Sequence, residues 1–308
     1  MLDSATVKQW ARELGADLVG IGSMDRFEGA PKDCDPRFIF PGAKAIVGLA
    51  FRVHRGLLRG IEEGTFFAAY PALGYANIND VHAPMVLRQL GSRIEDDGYE
   101  AMLYSNTSVR YGTNAGKPVA PGKPRPDVFL HFRIAAFICG LGEIGYSKVF
   151  LTPQFGPRLC DRCKRCVTDC PATAIAAERT VKVTVAGREI EWGELDEGKC
   201  SIGWQAASPE YNPFANEAIS DLMRSALEDT RPKAERAAFT RYVANRLRED
   251  FAYSRAGWDS FHHPGAICGG RGCVRACMVH LEEKGALQNR FHQPFRTETP
   301  WHLADGKA

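Results

Sequence analysis

Long apolar runs are missing from this chain. Nowhere do about 18 apolar residues follow one another, which is what a membrane-crossing helix needs. Charge of one sign is missing too. In 308 residues 39 Lys and Arg stand against 37 Asp and Glu, a formal net charge of +2. So even a balance supports neither a basic nucleic-acid-binding face nor an acidic tail. The opening segment "MLDSATVKQWARELGADLVGIG" has no basic region followed by a continuous apolar stretch and no twin arginine. The expected compartment is therefore the cytoplasm, with no membrane span. No self-similar unit of about 20 to 50 residues stands out, which removes the solenoid and propeller classes.

What remains is 44% hydrophobic and 25% charged, the composition of a globular protein, with length enough for about two domains of ~150 residues. The stretch "SATVKQWAREL" carries Val7, Trp10 and Leu14 at helical spacing, opens with Ser4 as an N-cap and stops at Gly15. "ADLVGIG" reads as a buried strand and Ala45 to Phe51 as a second. Val86, Leu90 and Ile94 predict a helix ending near Gly98, followed by a short strand through Tyr104. Residues 105 to 126, rich in Gly, Pro and Asn, predict a long loop, and "DVFLHFRIAAFICGLG" a helix ending in glycines. "RTVKVTVAGREIEW" predicts a hairpin, and the mixed-charge segment from Asn216 to about Asp250 a long solvated helix.

Gly140, Gly142 and Gly145 in "FICGLGEIGYSK" spell the glycine fingerprint of a dinucleotide-binding turn, which requires a full helix after it and a returning strand. Pro153 and the cysteines from Cys160 leave room for neither. The glycines need another role.

Ten cysteines are present, and eight of them follow residue 159. Cys34 and Cys139 stand apart and read as ordinary thiols. Cys160-x2-Cys163-x2-Cys166-x3-Cys170-Pro171 is the bacterial ferredoxin run for a [4Fe-4S] cluster, in which the fourth cysteine serves a second cluster. Zinc sites favour separated Cys-x2-Cys pairs and are the alternative. Two clusters need eight thiolates, and Cys200, Cys268, Cys273 and Cys277 supply the other four. If the exchange usual in two-cluster ferredoxins holds, Cys160, Cys163, Cys166 and Cys277 hold one cluster, and Cys170, Cys200, Cys268 and Cys273 the other. Clusters in series carry single electrons, so an acceptor is expected elsewhere in the chain.

Four stretches, "LGADLVGIG", "DPRFIFPGAKAIVGLAF", "RIAAFICGLGEIGYSKVFLTPQFGPR" and the cysteine module from Cys160 to Cys277, resemble the family of corrinoid and iron–sulfur reductases that includes reductive dehalogenases and epoxyqueuosine reductase. The resemblance implies an α/β (α+β) chain with a nitroreductase-like corrinoid-binding domain over residues 1–157. A ferredoxin-like domain with two [4Fe-4S] clusters and a helical insertion would follow over 158–308. It implies cobalamin as second cofactor, with Gly140, Leu141, Gly142, Glu143 and Gly145 beside it, where small residues let backbone approach a flat ring. Electrons from an external ferredoxin, flavodoxin or reductase would pass through the clusters to the corrinoid, which reduces a bond in a small organic substrate. Such a step needs a proton donor and a cation. Tyr104 and Asp127 are the acids chosen, ahead of Tyr111 and His131, and Arg158 is the cation, ahead of Lys148. "DVHAPM", residues 80 to 85, is similar to the histidine element of other B12 enzymes but lacks its glycine, so His82 reads as a polar residue near a helix start. The chain lacks the helical-repeat tail of epoxyqueuosine reductases and the export signal of respiratory dehalogenases. A small-molecule substrate is therefore expected ahead of tRNA. The other readings are an epoxyqueuosine reductase acting on tRNA, an electron-transfer dicluster ferredoxin without organic cofactor, and a zinc protein.

Overall fold

A computed structural model of the chain describes residues 2–31, 35–60, 69–104, 134–144, 149–151, 160–212, 214–251, 266–286 and 292–293. They form an α+β protein of helices and two-stranded ribbons. Two compact units are built from interleaved chain. The first takes Met1–Arg52, Ile78–Asp161 and Val181–Trp192, the second Val53–Asn77, Arg162–Thr180 and Gly193–Ala308. The expected domain boundary at 157/158 lies outside the described residues.

In the first unit, helix α1 (Ser4–Glu13) is capped by Asp3, whose carboxylate accepts from the Thr6 N–H at 2.8 Å. The cap is thus one residue before the expected Ser4, because the longer acceptor stands three residues ahead of a free N–H. Strands β1 (Leu18–Ser23) and β2 (Ala45–Ala50) pair antiparallel, from Leu18 opposite Ala50 to Ser23 opposite Ala45. Side chains alternate across such a ribbon. Val19, Ile21, Val47 and Leu49 face α1 and helix α2 (Ala83–Asp96), where they meet Val7, Ala11, Val86 and Leu90. The opposite face is lined by Gly20, Gly22 and Gly48. A short helix at 134–138 and the turn after it lie on these glycines. Cβ atoms on Gly20 and Gly48 would fall 2.2 Å from the Cys139 carbonyl oxygen and 2.8 Å from Leu141 Cδ1. Ile134 and Ile138 continue into a core with Phe27, Val185, Ile190 and Trp192. The Arg26 guanidinium donates to the Ile138 carbonyl and closes the end of that helix.

The expected strand through Tyr104 does not form. Residues 101–104 are irregular, since Met102 and Leu103 are exposed and the segment has no second apolar face to bury. His82 is an exposed polar residue at the start of α2, as expected of it: its ring meets Phe51 edge-on at 5.0 Å, and Nε2 lies 3.4 Å from the Gly15 carbonyl oxygen. After the turn at Gly140, β3 (Gly142–Ile144) pairs antiparallel with β4 (Val149–Leu151). A helix therefore precedes the glycines and a ribbon follows them, the reverse of a dinucleotide-binding turn.

β5 (Ile175–Val185) and β6 (Arg188–Leu195) form the expected hairpin. Its two turn residues, Ala186 and Gly187, both have positive φ, as the favoured two-residue turn requires.

The second unit has a short helix α3 (Arg165–Thr168), then α4 (Glu197–Ala206), α5 (Glu217–Leu227), α6 (Lys233–Phe251) and α7 (Arg271–Glu283). The segment expected as one solvated helix is two, broken between Leu227 and Lys233. Pro232 cannot continue the first helix but opens the second, and Asp229 holds the backbone N–H of Arg231 at 3.0 Å in the turn. Both helices bury an apolar stripe with α4, built from Ile202, Ala206, Ile219, Met223, Ala226, Val243 and Leu247. A π-helix, Tyr70–Ala76, packs with Leu58 and Val279 of the same unit, and a second, Ile78–His82, follows it in sequence.

Candidate metal centre

Arg162 and Lys164 both adopt left-handed conformations, with φ of 60° and 59°. Each costs a non-glycine residue on the order of 1–2 kcal/mol, so the loop between Cys160 and Cys166 is strained and held from outside. Lys164 caps α3, which buries Cys166 at 4% exposure and leaves Cys163 open to solvent. α3 lies against α7, fastened by Arg165 to Glu283 at 2.6 Å and by Arg275 to Asp169 at 3.1 Å. Cys277 is on α7. One turn further on the same face stands His280, with a ring nitrogen within 4.8 Å of Cys163 Sγ. His280 was not singled out from the sequence, although its three-residue spacing from Cys277 on a helix was a usable sign.

Cys170 follows α3. Its Sγ accepts from the Ala174 N–H at 3.3 Å. Burial pushes this thiol up to about 11; the Ala174 and Ala172 N–H groups pull it down, while Cys268 and Cys273 push it further up. Two sulfurs of the 268–273 segment thus lie near that of Cys170. Two contacts bring α4, and Cys200 on it, to the same place. Gly203, three residues after Cys200, is the residue on which Ala172 rests, with a Cβ there only 2.5 Å from that of the alanine. The far end of α4 holds the segment before α7, the Gln205 and Trp204 carbonyls accepting from the Ile267 and Gly269 N–H groups at 2.9 and 3.1 Å.

The "CGGRGC" segment bends through Gly269 and Gly270, at φ 56° and 84°. A Cβ at Gly269 would lie 2.8 Å from Pro71 Cγ, so the left-handed bend and the close neighbour both call for glycine. Cys273 Sγ donates to the Gly270 carbonyl at 3.2 Å. Tyr75 meets Trp204 edge-on at 4.6 Å, so the π-helix covers this side of the unit. Sequence periodicity had given residues 70–76 no role.

Soft sulfur donors in these numbers suit an iron–sulfur cluster or zinc, and a backbone N–H on a ligand sulfur is the kind of neighbour by which a protein tunes a cluster. The 268–273 segment and α4, the helix of Cys200, both lie at the turn after Cys170, and Cys166 and Cys277 are on helices packed together, with Cys163 in the loop before α3. Cys160, half-buried, opens the run.

Tyr104, Gly140, Leu141, Gly142 and Glu143 belong to the first unit. Tyr104 is half-buried; burial pushes its phenol well above the ordinary range, and neighbouring Cys139 adds to the shift. Gly140 is left-handed at φ 68° and Leu141 is buried at 6% exposure. Gly142 and Glu143 stand in β3, opposite Leu151 and Phe150. Gly145, Asp127 and Arg158 lie outside the described residues, as do Cys34, Tyr111, His131 and Lys148. Cys139 is an ordinary buried thiol, its Sγ donating to the Ile46 carbonyl at 3.6 Å. No helix among the described residues is long and apolar enough to cross a membrane.

No protein-family model, curated protein or solved structure matches the chain.

Proposed function

We propose that this chain is a cobalamin-dependent reductase of small organic molecules that takes electrons through two [4Fe-4S] clusters, with a ferredoxin-like second domain and a nitroreductase-like first. One observation carries the reading: the Cys268 and Cys273 sulfurs lie near that of Cys170, which stands far earlier in the chain, and the helix bearing Cys200 packs on the residue two beyond Cys170. A pair of cubanes supplies single-electron transfer, and a corrinoid supplies a strongly reducing cobalt centre.

The protein's part is binding, orientation and protons. The thiolates of Cys160, Cys163, Cys166 and Cys277 hold one cluster, those of Cys170, Cys200, Cys268 and Cys273 the other. The Ala174 N–H steadies the Cys170 sulfur. Tyr104, a phenol that carries its proton at Oη through the neutral range, would serve as the acid beside the glycine run. Gly140, Leu141, Gly142, Glu143 and Gly145 would hold the edge of the corrinoid, and Asp127 and Arg158 would act with Tyr104 on the substrate. An external ferredoxin, flavodoxin or reductase delivers the electrons. A cytoplasmic setting goes with this reading, since reduced thiols are what cluster assembly needs.

A specific observation favours a second reading, an electron carrier without corrinoid. In two of the four stretches on which the resemblance rests, Gly20, Gly22 and Gly48 receive the 138–141 segment of the polypeptide itself. Their smallness is already used in packing. Anaerobic reconstitution with iron, sulfide and cobalamin separates the possibilities. About eight irons and one cobalt per chain support the reductase. Eight irons with no retained cobalt leave the carrier, and zinc in place of iron removes both.

A further inference from the structure

Arg271 is the largest fully buried side chain among the described residues, at 0% exposure. It stands between Cys268 and Cys273, as the first residue of α7. Its backbone N–H donates to the Cys268 carbonyl at 2.9 Å, and its guanidinium donates to the Ile267 carbonyl. The charge is close enough to Cys268 and Tyr70 for both to act on it. A buried guanidinium costs several kcal/mol unless negative charge faces it. Arg275, one turn later and 3% exposed, has the Asp169 carboxylate at 3.1 Å. Among the acids that act on Arg271 is Cys268, which lies near Cys170.

A cubane with its four thiolates is a doubly negative unit that gains one more negative charge on reduction. A fixed cation in a low-dielectric setting therefore favours the reduced state, and net charge and surroundings are what set cluster potentials. We propose that Arg271 is the counter-charge of the cluster held by Cys170, Cys200, Cys268 and Cys273, raising its reduction potential above that of the other cluster. This rests on reading those four cysteines as the ligands of one cluster. Electrons reaching the pair then settle on the cluster at Arg271. The arginine acts through the cluster and touches no substrate, so it is a positioning residue. Guanidinium suits the task better than an ammonium, being permanently charged and weakly hydrated.

The test is a redox titration of the reconstituted full chain, followed by electron paramagnetic resonance, for the wild type, Arg271→Met and Arg271→Lys. Arg271→Met keeps the volume and removes the charge. We expect eight irons in all three proteins. In Arg271→Met one of two midpoints should fall so that reduction of that cluster is at least tenfold less favourable, or 59 mV for a one-electron couple, with the other unmoved. Arg271→Lys should stay close to the wild type. If Arg271→Met loses four irons while Arg271→Lys keeps eight, the charge is needed to hold the cluster at all, which also supports the proposal. Unmoved midpoints with eight irons overturn it, as does loss of the cluster in both variants, which would make Arg271 a packing requirement. A wild type that binds no iron fails differently: the ligand assignment itself is then wrong.

Discussion

Gly203 of α4 stands so close to Ala172 that a side chain there has nowhere to go, its Cβ falling 2.5 Å from the alanine Cβ. The contact ties the helix of Cys200 to the turn that follows Cys170, so it positions two sulfurs by way of two residues that carry none. Gly203→Val should cost about 1–3 kcal/mol by overpacking. It should also lower the reconstituted iron from about eight to about four per chain, because only one set of thiolates is pulled apart. Denaturant unfolding and iron analysis measure the two effects. A variant that is destabilised yet keeps all its iron would show that this contact does not set the Cys170–Cys200 separation.

Asp196 holds α4 from its other end. Its carboxylate caps the helix, accepting from the Lys199 N–H at 3.0 Å, and pairs with Arg236, which is 8% exposed. Burial pushes this carboxyl up, but Arg236 and the Lys199 N–H outweigh it and leave the group below its ordinary range. The stabilisation is therefore present above the unfolded carboxyl pKa of about 3.9 and is lost as the pH falls through the lower folded value. Asp196→Ala should cost on the order of 2–3 kcal/mol near neutral pH, more than the ~1 kcal/mol of a lost cap, because Arg236 is left buried without its partner. Wild type and variant should converge in acid. A gap that persists at low pH would mean that the cap's geometry, and not its charge, does the work.

The helices and ribbons around these residues followed from periodicity, since a stripe such as Val86, Leu90 and Ile94 or the alternation of Val19 with Gly20 is a local pattern with one geometric solution. The cysteine ligands were readable for the same reason: the run from Cys160 to Cys170 states its geometry in its spacing. Three things were not. Residues 53–77 and 181–192 join units distant in sequence, and no local pattern announces a long-range contact such as that of Tyr70 with Val279. The glycines of "LVGIG" and "IVGLA" were read as marks of a strand and a family, whereas their smallness answers to Cys139, Ile138 and Leu141, more than 90 residues away. Arg271 gave no sign either, because an arginine in a glycine-rich segment ordinarily faces water.

Cys139 makes a prediction that involves no cofactor. Burial pushes its thiol up to about 11, with the backbone around Gly48 and Gly22 and the Arg26 charge pulling weakly the other way. Alkylation in the native protein should be slow at pH 8, where about one thiol in a thousand is ionised, and should rise about tenfold per pH unit toward pH 11. The folded thiol binds its proton more tightly than the unfolded one. Its contribution is therefore complete below an unfolded pKa near 8.5 and is lost as the pH climbs through the folded value. The stability difference between wild type and Cys139→Ala should shrink by on the order of 2–3 kcal/mol between pH 8 and 11. A difference that stays flat over that range would mean that the thiol is more open to water than its surroundings indicate.

The partition of the cysteines is the prediction on which the electron path depends. Cys170 is affected by Cys268 and Cys273, and Cys200 reaches the same place through Gly203 and through the Gln205 and Trp204 carbonyls. Cys277 belongs to the helix that packs on α3, the helix of Cys166, and Cys163 stands within 4.8 Å of a His280 nitrogen one turn beyond Cys277. If these neighbourhoods are the two ligand sets, serine substitutions fall into two classes. Cys200→Ser and Cys268→Ser should each abolish or distort one paramagnetic signal of the reduced protein and leave the other at full intensity. Cys163→Ser and Cys277→Ser should do the opposite. The pair Cys170→Ser and Cys166→Ser is the most telling, because these residues are four apart in one run and should still fall into different classes. Should Cys170→Ser remove the same signal as Cys166→Ser, the exchange between the two runs is absent, and the set of sulfurs around Arg271 has to be drawn again.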